Sequence, residues 1–267
     1  MQIDGDRIMK KLLVTLTIAE GKRLIAKGLL ATEAIQDALE NGYLCVTLGT
    51  TSSYLVEEIL GEYDKTRHIA GVVIPKGVWV TKQEKRFKDA IFYKGDYISD
   101  KKVIDILDKL GPGDVIIKSV NGIDAEGKPL VLLGSSTGGT VGSFLVAAAS
   151  RNITVVAIAG LEKYIPALYE DFSGNFGMED WDYAMGFASG IIALPGAILF
   201  TEIDAFEVLF DVEAIPIAAG GINGAEGSHT FYLEGEDGDV DAAYEFLKQL
   251  KGEPPFPKVE HIKEWED

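Results

Sequence analysis

The stretch Tyr43-Leu-Cys-Val-Thr-Leu-Gly-Thr-Thr-Ser-Ser-Tyr-Leu-Val-Glu-Glu-Ile-Leu60 joins a short apolar run to an amphipathic segment through five small residues, 49–53. The apolar run predicts a buried strand, and the following segment predicts a helix over 53–60. A strand that ends at a glycine just before a helix directs several backbone N–H groups toward one point. With the positive end of the helix dipole and four loop hydroxyls, these groups predict an anion site, most often one for phosphate.

The charge balance restricts the partners of this chain. Asp and Glu number 42 and Lys and Arg number 25 among the 267 residues, so the formal net charge is −17. Such a surface repels nucleic acids and anionic membranes, and we expect neither as a partner. An acidic protein that binds phosphate must concentrate positive potential locally, which loop amides do better than scattered lysines. The expected partner is a phosphorylated small molecule.

The single cysteine, Cys45, excludes an internal disulfide and a cysteine-rich metal site. It lies in the apolar run before the glycine loop, where we predict a buried, inert thiol. The sequence predicts no metal and no cofactor. Residues 1–7 lack the features of a signal peptide, and no apolar run approaches the ~18 residues of a membrane span. We therefore expect a cytoplasmic protein, which could form a homo-oligomer.

Short apolar runs alternate with helical patterns along most of the chain. The apolar runs lie at 43–48, 114–119, 130–133, 153–159, 197–200, 215–219 and 230–233, and the helical patterns at 17–30, 32–41, 53–60, 100–110, 143–151, 204–210 and 240–251. The run at 153–159 is continuously apolar, as in a parallel strand covered on both faces. The alternation predicts the α/β fold class with a mostly parallel, doubly wound sheet.

Two regions depart from this alternation. Residues 68–80 and 90–98 alternate in polarity, which predicts two or three strands of a partly antiparallel excursion. Residues 166–196 are aromatic and acidic, and we predict that they are mostly helical. Their aromatic side chains are expected to pack a subdomain or a dimer contact, with a lid over the ligand as the alternative. We therefore predict one α/β domain over 1–267 with an embedded smaller subdomain, a helical and aromatic insertion around 163–196.

Two further loops follow the first one. Val120-Asn-Gly-Ile-Asp-Ala-Glu126 precedes the glycine-rich Gly134-Ser-Ser-Thr-Gly-Gly-Thr-Val-Gly142. In order and spacing, the three loops resemble those of the ribose-5-phosphate isomerase, glucosamine-phosphate deaminase and coenzyme-A transferase superfamily, over roughly residues 19–160. The second loop also resembles the Gly-Ala-Asp loop of the methylthioribose-phosphate isomerases, which are related to translation-initiation regulatory subunits. The resemblance implies a sugar-phosphate isomerase/CoA transferase-like fold.

The resemblance also implies a set of site residues. The substrate-binding residues would be Gly49, Thr50, Thr51, Ser52 and Ser53 of the phosphate loop, Asn121 and Gly122 of the second loop, and Gly138, Gly139 and Thr140 of the third. Asp124 is the candidate for proton transfer, supported by Asn121 and Glu126, so Asp124 and Glu126 are the predicted catalytic pair. The chain departs from the sugar-phosphate isomerases of the group at two positions. Ala125 stands where they carry a glutamate, and the segment around Leu133 where they carry a lysine.

These residues leave several functions open. The leading hypothesis is a protein that binds a sugar phosphate or nucleotide-like molecule and isomerises it. The alternatives are a non-catalytic sensor or regulatory protein of the same fold, and a CoA transferase-like acyl-transfer enzyme with Glu162 or Glu202 as nucleophile. Each loop also has a structural interpretation. The first can be a plain helix cap, the third a close-packing turn, and Asp124 an Asx-turn residue beside Gly127.

Overall fold

The computed structural model describes residues 9–263. The helices are α1 (Ile18–Leu30), α2 (Glu33–Asn41), α3 (Thr50–Leu60), α4 (Gly139–Arg151), α5 (Tyr169–Phe172), α6 (Glu202–Phe210) and α7 (Asp237–Leu250). The strands are β1 (Met9–Leu16), β2 (Tyr43–Val46), β3 (Gly71–Ile74), β4 (Gly77–Val80), β5 (Ala90–Tyr93), β6 (Asp96–Ile98), β7 (Val115–Ser119), β8 (Gly122–Ile123), β9 (Pro129–Leu133), β10 (Thr154–Ile158), β11 (Gly190–Ala193), β12 (Ile198–Phe200), β13 (Glu213–Gly220) and β14 (Ser228–Glu236).

A six-stranded sheet in the order β12-β10-β7-β2-β5-β6 forms the centre of the fold. Its first four strands are parallel, and β5 and β6 continue the sheet antiparallel. The α/β class and the mostly parallel sheet predicted from the sequence are therefore confirmed. The antiparallel strands β5 and β6 fall within the predicted excursion at 90–98.

Helices cover both faces of this sheet. Successive residues of β2 point to opposite faces, so Leu44 and Val46 pack in one buried cluster and Cys45 in another. The first cluster holds side chains of α1, α3 and α6, and the second holds Phe144 and Ala148 of α4. Because both faces are covered, the central strands carry continuous apolar runs. Cys45 is buried, as predicted, and burial raises the pKa of its thiol.

Three smaller sheets surround the centre. Strands β1, β14 and β13 form an antiparallel sheet that contacts α7, while β8, β9 and β11 form a second one. Strands β3 and β4 form a hairpin. Within residues 9–263, no helix is both long and apolar enough to cross a bilayer. The cytoplasmic location remains a prediction.

The structure corrects two predicted helices. Residues 100–110 form two single 3₁₀ turns, Val103–Asp105 and Leu107–Lys109, because Ile106 between them has φ −127°. The segment 166–196 contains only α5 and β11 as regular elements. Part of its backbone is instead paired with the hairpin, since the Phe187 N–H donates to the Val78 carbonyl at 2.7 Å. Whether 163–196 forms an inserted unit stays a prediction.

Candidate functional site

A cleft of about 720 Å³ opens where strands β2, β7 and β10 end. The carboxyl ends of parallel strands meet at one edge of a sheet, which is the common place for ligand sites in α/β folds. The first residues of α1, α3 and α4 line the same cleft: Ile18, Thr50, Gly139 and Thr140. Three helix N-termini, the positive ends of the helix dipoles, therefore open on one space.

The first loop contributes its backbone to the cleft. Gly49 and Thr50 line the cavity. The Gly49 N–H donates to the His68 carbonyl at 2.8 Å, and the Ser52 N–H donates to Ser119 Oγ at 3.0 Å. The N–H groups of Thr50 and Thr51 have no acceptor among residues 9–263. Of these two amides, that of Thr50 lies in the cleft lining and remains able to donate to an anion, whereas Thr51 is fully buried outside the lining.

Three of the four hydroxyls of this loop do not face the anion site that the sequence predicted. Thr51, Ser52 and Ser53 are fully buried and lie outside the cleft lining. Ser52 Oγ donates to the Thr47 carbonyl and Ser53 Oγ to the Thr50 carbonyl, both at 2.7 Å. The reason is that α3 begins at Thr50, three residues earlier than predicted, so these side chains belong to its first turn.

The third loop reaches the cleft with all three of its predicted residues. Gly138, Gly139 and Thr140 line it, together with Ser135. Here too the helix begins earlier than the sequence indicated, at Gly139 instead of residue 143. The glycine loop therefore presents the N-terminus of a 13-residue helix to the cleft.

The second loop is divided between the cleft and the interior. Asn121 lines the cavity, and its Oδ1 accepts a hydrogen bond from the Leu132 N–H at 3.1 Å. Gly122 is buried in β8, outside the lining. Each of the three predicted loops therefore places only some of its residues in the cleft lining.

The structure does not bring the predicted catalytic pair to this cleft. The Asp124 carboxylate is buried and accepts hydrogen bonds from the N–H groups of Glu126 (2.9 Å), Lys128 (2.7 Å) and Tyr169 (3.1 Å). Burial alone would raise the pKa of this carboxyl, but the three donors lower it below its usual value. Glu126 is exposed and pairs with Lys128 at 2.8 Å. The hydrogen bond from the Glu126 N–H to the Asp124 carboxylate is that of an Asx turn, which was the structural interpretation of Asp124 from the sequence.

Two lysines that the sequence did not single out as a pair lie side by side in the cleft. Lys118 Nζ donates to the Ser119 carbonyl at 2.7 Å, and Lys163 Nζ donates to the Val120 carbonyl at 2.8 Å. The two ammonium groups lie close enough to interact, since Lys118 contributes to the lowered pKa of Lys163. Neither forms an ion pair with a carboxylate within residues 9–263.

Lys22 of α1 and Glu162 complete this group. Lys22 Nζ lies 3.7 Å from Glu162 Oε1, and both side chains are largely buried. Arg86 also lines the cleft, with its Nε donating to Thr81 Oγ1 at 2.7 Å. We call Lys22, Lys118 and Lys163 the basic cluster. With Arg86 it gives four cations against a single carboxylate, Glu162, in the described lining.

Two members of the basic cluster, Lys118 and Lys163, have a lowered pKa. Burial lowers the pKa of Lys118 to about 8, although the Asp89 carboxyl opposes the shift. Burial also lowers the pKa of Lys163 to about 8; Glu162 opposes this shift, whereas Lys22 and Lys118 add to it. Mutual repulsion among unneutralised ammonium groups is the setting in which an added anion is stabilised most.

A second glutamate lies behind Glu162. Glu202, at the start of α6, is buried and accepts a hydrogen bond from the Leu161 N–H at 3.0 Å. Burial and the neighbouring Glu162 raise the pKa of Glu202 to about 8. Both carboxylates press on Gly160: an ideal Cβ there would lie 1.9 Å from Glu162 Oε2 and 2.9 Å from Glu202 Oε1. A larger residue at position 160 would force both carboxylates to shift.

Comparisons with known proteins give little further information. No protein-family model matches the chain, and no curated protein is significantly similar to it. Among solved structures, it is similar to a chain in the crystal structure of the tetrameric eIF2B-beta2-delta2 complex from C. thermophilum, with 13% identity and a TM-score of 0.38. The match covers 68% of this chain and 55% of that chain. At this level of similarity, the function of the cleft rests on its own residues.

Proposed function

We propose that this protein binds a phosphorylated small molecule in the cleft, with the phosphate held by Lys118, Lys163 and the Thr50 amide at the start of α3. The observation that carries this proposal is the presence of two ammonium groups in the cleft lining that form no ion pair within residues 9–263, in a chain whose formal net charge is −17. Fixed cations in a partly buried cleft bind phosphate strongly, because charge-assisted hydrogen bonds are about twice as strong as neutral ones.

The cleft also contains what a sugar-phosphate isomerase requires. Such a reaction needs a base beside a carbon-bound proton and a cation beside the developing enediolate oxygen. We assign the base to Glu162, the carboxylate in the lining, in place of Asp124 and Glu126, which lie outside it. Glu162 would take the proton from the carbon next to the carbonyl, and a lysine ammonium would stabilise the enediolate. The proton would then return to the neighbouring carbon.

In this proposal, the doubly wound sheet of isomerase/transferase type is the scaffold that brings the lysines together. Helices on both faces of the central sheet support it. The alternative is a sensor that keeps the phosphate site and catalyses nothing. The two alternatives share the ligand and differ in the role of Glu162.

Binding is tested by titration calorimetry with inorganic phosphate and ribose 5-phosphate, with free ribose as the control ligand. We expect binding of the phosphorylated compounds alone, and a stabilisation of about 2.7 kcal/mol at 100 times the dissociation constant. The variant Lys163→Met should lose most of the affinity. Lys128→Met removes the same charge outside the cleft and should bind normally. No binding of any phosphorylated compound would overturn the proposal.

Catalysis is tested separately, by following exchange of the C2 proton of ribose 5-phosphate in deuterated water by NMR. We expect exchange with the wild-type protein and none with Glu162→Gln, while Glu126→Gln serves as the matched control outside the cleft. Binding without exchange in the wild-type protein would identify a sensor, at least for this sugar. Exchange that survives Glu162→Gln would remove Glu162 as the base.

A further inference from the structure

A large part of the cleft is apolar, and a sugar phosphate does not account for it. We define the apolar wall by six apolar residues of the lining, from three segments: Val72, Val73, Val78 and Trp79 of the hairpin, Leu133 of β9, and Phe187. Val72 and Trp79 are paired across the hairpin, so their side chains share one face. All six residues line the same cavity as the basic cluster. The cleft is therefore amphipathic, with a cationic part and an apolar part.

The apolar wall is fixed by backbone contacts. The Phe187 N–H donates to the Val78 carbonyl at 2.7 Å, and the Trp79 indole N–H donates to the Lys263 carbonyl. The hairpin also approaches the other segment closely, since an ideal Cβ at Gly77 would lie 1.8 Å from the Met185 carbonyl oxygen. Hairpin, the segment around 187 and the C-terminal residues thus form one connected surface.

Apolar surface that faces a water-filled cleft is favourably covered by an apolar group of a ligand. Trp79 and Phe187 are only partly buried, and Val73 is 67% exposed. Indole and phenyl rings favour stacked or edge contacts with other flat rings. The volume of about 720 Å³ also lies in the range of sites for molecules larger than a pentose phosphate.

We propose that the ligand is a phosphate ester that also carries a flat aromatic ring, with the phosphate on the basic cluster and the ring on the apolar wall. This inference rests on the proposed phosphate site and names the class of molecule that fills the rest of the cleft. A nucleoside monophosphate has this composition: a phosphate at one end, a base at the other and a pentose between them.

The test compares two ligands that differ only in the ring. Adenosine 5′-monophosphate carries a base where ribose 5-phosphate carries a hydroxyl, so their affinity ratio isolates the contribution of the apolar wall. We expect adenosine 5′-monophosphate to bind at least about tenfold more tightly in calorimetry. Adenosine, which lacks the phosphate, should bind weakly.

Two variants locate the effect. Trp79→Leu should bring the affinity ratio close to one and leave ribose 5-phosphate binding unchanged, whereas Trp181→Leu, which removes an indole outside the lining, should keep the ratio. Val72→Asn is the second variant, because Val72 is paired with Trp79 and its side chain lies on the same face of the hairpin. It should lower the affinity for adenosine 5′-monophosphate alone.

The outcomes separate this inference from the proposed function. Equal affinities for the two phosphorylated ligands would overturn the aromatic ligand and leave the phosphate site intact. Tight binding of adenosine as well as its monophosphate would support the apolar wall and overturn the phosphate site. If neither phosphorylated ligand binds, both proposals fail.

Discussion

Two adjacent residues of α1, Lys22 and Arg23, belong to two charge clusters of opposite kind. The Arg23 guanidinium contacts three carboxylates, those of Glu57, Glu58 and Glu253. Lys27 and Lys65 join it, each pairing with a glutamate of the group. We call these six residues the Arg23 network. Its three cations face three carboxylates, so its charge is balanced.

The basic cluster, one residue earlier on the same helix, is unbalanced. Lys118 and Lys163 donate to carbonyls, and Glu162 is the single carboxylate in the described lining. A cavity of about 370 Å³ also lies beside the Arg23 network, but its arginine is already saturated by carboxylates. The difference leads to a prediction: a cavity beside cations should bind an anion when the protein itself leaves those cations without an ion pair. Balanced clusters contribute stability instead.

We expect the largest loss of stability from a substitution in the Arg23 network, whose charges are balanced. Arg23→Met would leave Glu57, Glu58 and Glu253 close together with their main cation removed. Breaking a partly buried network in this way costs about 3 kcal/mol, which denaturant unfolding would detect. Phosphate affinity should stay within about twofold, because Arg23 points away from the cleft. Loss of phosphate binding at unchanged stability would contradict the division into two clusters.

The double variant Lys118→Met/Lys163→Met tests the role of the basic cluster. It removes two charge-assisted contacts and should weaken phosphate binding at least about 100-fold. The unliganded protein should keep or gain stability, since two mutually repelling buried charges disappear. Calorimetry and denaturant unfolding on the same sample measure both quantities. A large fall in stability would mean that the lysines serve the fold.

Asp124→Asn tests whether Asp124 in the second loop stabilises the fold or takes part in catalysis. Its carboxylate satisfies three backbone donors, so we expect a loss of about 1–2 kcal/mol in the free energy of unfolding. Ligand affinity and proton exchange should be unchanged in the folded variant. Abolished exchange at full stability would return Asp124 to the catalytic role that the sequence suggested.

Stability and phosphate affinity are also expected to depend on pH. The pKa of Lys118 and of Lys163 is about 8 in the folded protein, against the usual 10.5. Between these values the unfolded chain binds more protons, so the free energy of unfolding of the unliganded protein should rise with pH. Phosphate affinity should fall in the same window, by about tenfold per pH unit for each ammonium group that discharges. The double lysine variant, measured from pH 7 to 10, should lack both trends.

The sequence predicted the scaffold better than the site. Strands β2, β7 and β10 follow from apolar runs that both faces of a covered sheet require. The start of α3 was harder, because a glycine followed by four hydroxyl residues looks the same whether it caps a helix or forms a loop. Only the structure shows that Ser52 and Ser53 return their hydroxyls to the backbone.

Local sequence patterns could not predict the basic cluster. Lys22, Lys118 and Lys163 come from a helix, a strand and a 3₁₀ turn, and their meeting depends on the order of strands in the sheet. One local signal was present. Lys118 interrupts an otherwise apolar buried strand, and a lysine in such a place needs a polar surrounding at the strand end.

Gly160 has a consequence for tuning this protein. It is the spacer between the Glu162 and Glu202 carboxylates, and one added methyl group would collide with both. Replacement by alanine would therefore force these carboxylates to shift without changing any charge in the cleft. Gly160 thus sets the position of the Glu162 carboxylate although it carries no side chain.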